Sequence, residues 1–388
     1  METADIVVIG GAVIGASVAW HLKVARRFRG RVVVVERDSA YARASTALAA
    51  SGIRHQFSSE TNIRISQYGT EFIREFRGPD GEGLSFRENG YLILASDAAG
   101  AEALTRNHLL QRACGADVAL LSPAEVAARF PHLNVEDLTL GSLGLSGEGW
   151  FDNMALLRGL RTASQAAGAV WLRDEAVGFA MRDGRVMAVK LGSGGEIGCD
   201  HVVNAAGTRA ALVAAWAGIP LAVEPRKRTV FHFTCQTPPA GALPLMIDAS
   251  RLWCRPEGEG FIAGIGPDPD PAVAHDDFEP RYAEFEEVVW PLLANRSPAF
   301  DAIRLTGVWA GHYSWNTLDQ NAVLGAHASC PNLIFANGFS GHGLQQAPAV
   351  GRGMAELILD GGYRTLDLSD LSVMRMGQGR PNTEAGIY

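Results

Sequence analysis

Two glycine-rich segments and one arginine–histidine pair are the places where residue types and spacing could do chemistry. Late in the sequence, Gly338-Phe339-Ser340-Gly341-His342-Gly343-Leu344-Gln345-Gln346-Ala347-Pro348 interrupts three closely spaced glycines with Ser340 and His342. Without Cβ atoms, such a segment lets its backbone approach something flat and polar. Near the start, Gly10-Gly11-Ala12-Val13-Ile14-Gly15 has the spacing of a phosphate-binding turn. Between them, Ser45-Thr46-Ala47-Leu48-Ala49-Ala50-Ser51-Gly52 is a run of small residues suited to passing along a pyrophosphate, and it leads into Arg54 and His55, which could face a substrate. These segments can share one site only if the chain folds back on itself.

The elements that would position them are legible. Ile6-Val7-Val8-Ile9 is a continuous apolar run, as expected of a strand buried on both faces in a parallel sheet. The glycine turn follows, then small and apolar residues to Ala25 predict a helix, and Arg31-Val32-Val33-Val34-Val35 predicts a second buried strand ending in Glu36. Strand, turn, helix, strand and acid form the dinucleotide-binding context, with Glu36 about 20 residues beyond Gly15 to accept ribose hydroxyls. Ala12 departs from the pattern, since glycine normally lets the pyrophosphate approach there. This unit leaves open whether the nucleotide is NAD or FAD.

Further on, Ser45 and Thr46 can cap a helix, and Ser59 begins one with Ile63, Ile65, Tyr68, Phe72, Ile73 and Phe76 as its apolar positions. A strand is expected at Tyr91 to Ala95, with helices around Ala101 to Cys114 and from Ser122-Pro123-Ala124-Glu125, which carries a capping box. Asp183-Gly184 between apolar runs signals a hairpin of Val177 to Met181 with Val186 to Leu191. Val202-Val203-Asn204-Ala205-Ala206-Gly207 reads as another buried strand entering a turn beside the nucleotide, and alternation in Thr229 to Phe233 and Leu252 to Arg255 predicts antiparallel strands. The fold class is therefore α/β with an α+β second domain: a Rossmann-like part at 1–85, 146–222 and 320–388, interleaved with a mixed or antiparallel sheet at 86–145 and 223–319.

The formal charge of −8 argues against nucleic acid as the main partner. Five widely spaced cysteines without a CxxC pair suggest neither a disulfide framework nor a metal site. No signal segment precedes the first strand and no apolar run reaches membrane-spanning length, so a cytoplasmic protein without a membrane span is expected.

Together the Gly10–Gly15 turn with Glu36, the Val203-Asn204-Ala205-Ala206-Gly207 strand and Gly338-Phe339-Ser340-Gly341-His342-Gly343 resemble the D-amino-acid oxidase-like flavoprotein superfamily of sarcosine oxidase, glycine oxidase and dimethylglycine dehydrogenase. Gly52-Ile53-Arg54-His55-Gln56-Phe57-Ser58, Glu148-Gly149-Trp150-Phe151-Asp152 and Trp309-Ala310-Gly311-His312-Tyr313 are similar to a mitochondrial branch of FAD-dependent oxidoreductase-domain proteins associated with assembly of respiratory complex I. The resemblance implies FAD and oxidation of a C–N bond in an amino acid or N-substituted amino acid, by hydride transfer to flavin N5 and imine hydrolysis.

It implies cofactor contacts from Gly10, Ala12, Val13, Ile14, Gly15, Glu36, Arg37, Ser45, Thr46, Ala50, Ser51, Gly52, Val177, Ala205, Ala206, Gly207, Gly338, Gly341, His342, Gly343, Leu344 and Gln345. Arg54 matches an arginine that holds the substrate carboxylate, with His55 beside it. His312 and Tyr313 stand near where some relatives carry a flavin-linking cysteine, so non-covalent FAD is expected, and the two residues are open to substrate contact or plain packing. Gln345 replaces a lysine of the oxidases. A neutral amide there implies slow reaction with oxygen and a dehydrogenase using another electron acceptor. Two alternatives stay open: a flavoprotein assisting assembly of a partner complex, and a 2-hydroxy-acid dehydrogenase.

Overall fold

The computed structural model describes residues 2–384. One eight-stranded sheet runs Val323–His327, Cys330–Asn337, Glu196–Asn204, Glu2–Ile9, Val32–Glu36 and Val170–Arg173, with the hairpin Ala176–Arg182 and Arg185–Leu191 added along Glu196–Asn204. Its centre is parallel: Val8 pairs with Val34 on one side and Val203 on the other, and Val203 pairs with Ile334. Val7 and Val8 are both fully buried, which is why this strand is apolar throughout rather than alternating. The hairpin turns at Asp183 and Gly184, both at positive φ.

The helix after the glycine turn spans Val13–Trp20 and continues through a π turn, His21–Ala25. It is crossed closely by the helix Gly343–Asp360. A Cβ on Gly351 would lie 2.2 Å from Ser17 Oγ, and that hydroxyl donates to Ala347 O at 2.7 Å. This contact, between residues 330 apart in sequence, closes the fold. It sets two helix N-termini side by side on one face of the sheet.

The second eight-stranded sheet runs Ile303–Asn316, Val223–Cys235, Gly260–Gly264, Trp253–Glu257, Leu245–Ile247, Tyr91–Ala95, Leu140–Gly144 and Val118–Leu121. Its pairings are antiparallel except for Leu245–Ile247 beside Tyr91–Ala95. Its core is built on Phe231, Phe233, Phe261, Phe285 and Phe300, with Phe233 stacked on Phe261 at 5.7 Å. Burying each ring stabilises by about 1.5–3 kcal/mol. The capping box expected at Ser122 is present, and the helix Pro123–Arg129 follows it. A separate two-stranded ribbon pairs Gly52–Ile53, at the end of the small-residue loop, with Gly149–Trp150. Among the described residues no helix is long and apolar enough to cross a membrane.

Candidate functional site

The first wall of the site is the turn after the Glu2–Ile9 strand. Gly10 has φ +95°, and a Cβ there would lie 2.5 Å from Ala205 O, so only glycine lets this turn pack on the neighbouring strand end. Glu36 Oε2 accepts the Gly11 N–H at 2.7 Å and Oε1 accepts the Asp38 N–H at 2.7 Å, which fixes the carboxylate beside the helix start. The small-residue loop crosses above. Thr46 Oγ1 accepts the Val13 N–H at 3.2 Å, and Ser45 Oγ donates to His312 O at 2.7 Å. The expected helix cap at Ser45 and Thr46 is thus corrected. The segment is a series of turns, and its hydroxyls bind distant backbone instead.

The second wall is the Gly338–Gly343 segment. Ser340, at φ 49°, donates its N–H to Ser314 O and accepts the Asn316 N–H on Oγ, both at 3.0 Å, which locks the segment to the strand Ile303–Asn316. Gly341 has φ +97°, and its absent Cβ leaves room for the Tyr313 ring, 2.6 Å from where that atom would be. His342 then opens the helix Gly343–Asp360.

Arg54 lies between the walls, 3% exposed, and is held through both its backbone and its side chain. Its N–H donates to Gln345 Oε1 at 2.8 Å, Nη2 donates to His342 Nε2 at 3.0 Å, and its guanidinium sits 4.3 Å over the Phe57 ring. Because arginine only donates, His342 accepts with Nε2 and is neutral. Burial, and then the Arg54 charge, hold its pKa well below the usual imidazole range.

A cavity of about 370 Å³ runs between the walls. It is lined by Gly10, Ala12, Val13, Ile14, Glu36, Arg37, Ser45, Thr46, Ala50, Ser51, Gly52, Arg54, Ala205, Ala206, Gly207, His312, Tyr313, Gly341, His342, Gly343, Leu344 and Gln345, so most of the residues singled out in the sequence converge here. Four do not line it. Val177 is 49% exposed on the edge hairpin, and its neighbour Ala176 takes the cavity side, as strand alternation requires. Gly15 packs its helix on the turn, with a would-be Cβ only 1.9 Å from Gly10 O, and Gly338 sits against Val323 and Val223. His55 points away from Arg54. Its Nε2–H donates to Thr70 Oγ1 at 2.8 Å, while Thr70 donates to Gly147 O, and burial lowers its pKa to about 4.

Several lining residues carried no sequence signal, among them Tyr91, Arg228, Leu245, Ile247, Trp253 and Phe278. Strands were expected around Tyr91 and Trp253 and just after Arg228, without the face that meets the cavity; the strand Leu245–Ile247 was not expected, and Phe278 lies outside any strand. Phe278 stacks on His312 at 4.1 Å, and the His312 Nε2–H donates to Asp277 O at 2.7 Å. That leaves Nδ1 as a buried acceptor with no protein donor among the described residues, on a side chain that lines the cavity.

Two buried carboxylates beneath the Arg54 loop were also missed as site residues. Glu148 accepts the His55 N–H at 2.7 Å and Gln56 Nε2 at 2.8 Å. Glu384 accepts the Ser58 N–H and Oγ at 2.7 and 2.6 Å, Ser59 Oγ at 3.1 Å and Asn62 Nδ2 at 3.0 Å.

Burial raises the Glu148 carboxyl from 4.5 to about 7 against these donors. A raised folded pKa means that the folded state holds the proton more tightly. The associated stability is complete below pH 4.5 and is lost as pH rises through 7, by roughly 3 kcal/mol. We expect denaturant unfolding of wild type and Glu148→Gln across this window to show the wild type losing that amount relative to the variant. His55 titrates in the opposite sense in both proteins and cancels in the difference. Parallel curves would refute the assignment.

With this geometry in place, the relatives can be stated. Residues 5–357 match the family described as DAO, FAD dependent oxidoreductase. The chain belongs to this family. It is 40% identical to FAD-dependent oxidoreductase domain-containing protein 1 of Xenopus laevis, over 100% of this chain and 85% of that protein, and 40% identical to the Bos taurus protein of the same name, over 95% and 84%. Among solved structures it is similar to an L-proline dehydrogenase from P. horikoshii, with TM-score 0.88 and 29% identity over 98% of this chain and 100% of that one. Glycine oxidase from Geobacillus kaustophilus shares the fold, with TM-score 0.82 and 22% identity over 97% and 99%.

The cofactor of the family is FAD, and the residues present fit it. Glu36 is placed for ribose hydroxyls, and the Val13–Trp20 helix start and the Gly10 turn for a pyrophosphate. His312, whose buried Nδ1 has no protein donor among the described residues, lines the same cavity. The N-terminus of Gly343–Asp360 brings the positive end of a helix dipole to the far end of the cavity.

Proposed function

We propose that this oxidoreductase acts on a C–N bond of an amino acid or an N-substituted amino acid, with FAD held non-covalently. The observation that carries this reading is Arg54, whose buried guanidinium is held by His342 and Phe57 and whose backbone N–H is held by Gln345, in the wall of the cavity that fits the dinucleotide. A planar fork held this rigidly suits a carboxylate. FAD, when bound, supplies a two-electron acceptor at N5 for a hydride from the carbon beside an uncharged nitrogen; water then hydrolyses the imine left on the substrate.

The chain's own contribution is orientation and electrostatics. Among the described residues, the carboxylates lining the cavity are Glu36, Asp38, Asp174 and Glu175, and they cluster at the Glu36 end, where the Asp174 N–H donates to Glu36 O at 3.2 Å. None of these described residues stands at the Arg54 end to keep a substrate amine protonated. Tyr91, Leu245, Ile247 and Trp253 line the cavity and offer its ligand an apolar wall. Arg228, which also lines the cavity, forms a bidentate pair with Asp270 at 2.7–2.8 Å. The likeness to an L-proline dehydrogenase supports a secondary-amine substrate. Gln345 brings a neutral amide whose oxygen is committed to Arg54, and this favours an electron acceptor other than oxygen.

The test mixes the flavin-loaded protein anaerobically with sarcosine, dimethylglycine, L-proline, glycine, both alanine enantiomers and L-lactate, then admits air. We expect at least one amine to bleach the flavin band and reoxidation in air to be slower than turnover with an artificial acceptor. Bleaching by lactate alone, or by nothing in the panel, would overturn the reading; fast, catalytically competent reoxidation would overturn the acceptor assignment.

A further inference from the structure

The Arg54 loop is built into a frame that begins in the 380–384 segment, and Glu384 is its keystone. Glu384 is 2% exposed, and among the described residues Ser58 N–H and Ser58 Oγ donate to one of its oxygens and Ser59 Oγ and Asn62 Nδ2 to the other. Ser59 is the N-cap of the helix Glu60–Glu75 but makes no side-chain cap bond itself. The carboxylate therefore brings its charge to the positive end of a 16-residue helix dipole.

The segment that delivers it is anchored independently. Asn382 N–H donates to Asp319 Oδ2 at 2.9 Å, and Asn321 Nδ2 donates to Asn382 O at 2.6 Å. Asp319, fully buried, is paired with Arg375 at 2.7 Å.

Two routes lead from Glu384 into the cavity wall. Ser58 follows Phe57, whose ring lies under the Arg54 guanidinium and meets the His342 ring edge-on at 5.0 Å. Asn62, which also donates to Glu384, accepts from Gln346 Nε2 at 3.1 Å on its Oδ1, and Gln346 adjoins Gln345, which holds the Arg54 N–H. We propose that Glu384 is a positioning residue for anion binding, setting the Arg54 fork at the lip of the flavin cavity without touching the ligand. The inference rests on the reading of Arg54 as a carboxylate anchor and needs no knowledge of the amine.

A carboxylate probe tests it: benzoate titrated into the flavin-loaded protein, followed by the flavin difference spectrum. In Glu384→Ala we expect benzoate to bind roughly tenfold more weakly at unchanged FAD content, a loss typical of a slightly misplaced fork. With an amine that bleaches the flavin, KM rises by the same factor while the limiting reduction rate stays within about twofold. Glu384→Gln keeps one acceptor oxygen but turns an amide donor towards Asn62 or Ser58, so it recovers only part of the affinity, and it serves if the alanine variant fails to fold.

Unchanged benzoate affinity in a variant whose thermal stability has dropped would reduce Glu384 to a structural residue and overturn the proposal. So would a fall confined to the limiting rate, or a wild-type flavin that benzoate does not perturb. Failure of the amine panel with benzoate binding intact would instead strike the C–N reading and leave Glu384 in place.

Discussion

Replacing Arg54 with methionine is expected to lower the second-order rate of flavin reduction by the amino-acid substrate roughly 100- to 1000-fold, almost all of it through KM, with FAD content unchanged. The size follows from removing a buried charge-assisted anchor, worth about 3–4 kcal/mol where a carboxylate is the partner. Methionine keeps the apolar packing on Phe57 and the backbone bond to Gln345 Oε1, so the loop retains its path. Arg54→Lys should recover only a fraction, because an ammonium cannot sit flat on Phe57 while donating to both His342 and a carboxylate. Anaerobic stopped-flow reduction at a series of concentrations of an amine that bleaches the wild-type flavin measures it. A rate constant within threefold of wild type would remove Arg54 from substrate binding and with it the main support for the proposed reaction.

The second large effect is on the cofactor. Gly10→Ala should yield a protein that binds FAD at least roughly tenfold more weakly and is destabilised by about 3 kcal/mol. Residue 10 sits at φ +95°, where L side chains are strained, and its new Cβ would lie 2.5 Å from Ala205 O, a backbone atom that cannot swing aside. Relief must come from moving the turn away from the Ala205–Gly207 strand end, which displaces the Gly11 N–H from Glu36 and the helix start from the cavity. Ala12 provides the internal contrast: it lines the same cavity with a methyl at φ −67°, with no conformational cost. Flavin absorbance per chain and thermal unfolding with added FAD report both effects. Full FAD content in Gly10→Ala at wild-type stability would show that this turn tolerates a side chain.

Much of this was legible from sequence because it is local. The apolar runs around Val7, Val33 and Val203, the Asp183-Gly184 turn and the Ser122 capping box each determine an element through near neighbours. The Gly10–Gly15 spacing followed by Glu36 determined a nucleotide end. The sequence alone also marked the Gly338–Gly343 segment as one that backbone must approach closely, and Gly341 at φ +97° against Tyr313 is the physical form of that need.

What only the tertiary structure decided is where side chains of adjacent residues go. Arg54 and His55 are neighbours in sequence, yet one enters the cavity and the other turns to Thr70, because Gln345 and His342 hold the first and Glu148 the second. Val177 and Ala176 divide in the same way on the edge hairpin, and Ser45 and Thr46 find partners at His312 and Val13 rather than in a helix of their own. Gln345, read from sequence as a missing charge, proves to hold the backbone of Arg54, and Glu384 reaches Ser58 from 326 residues away. Periodicity and motif spacing carry information about backbone conformation and one-sided burial. The partner of a buried polar group is fixed by which distant segments share its neighbourhood, and that emerges only when the chain is packed.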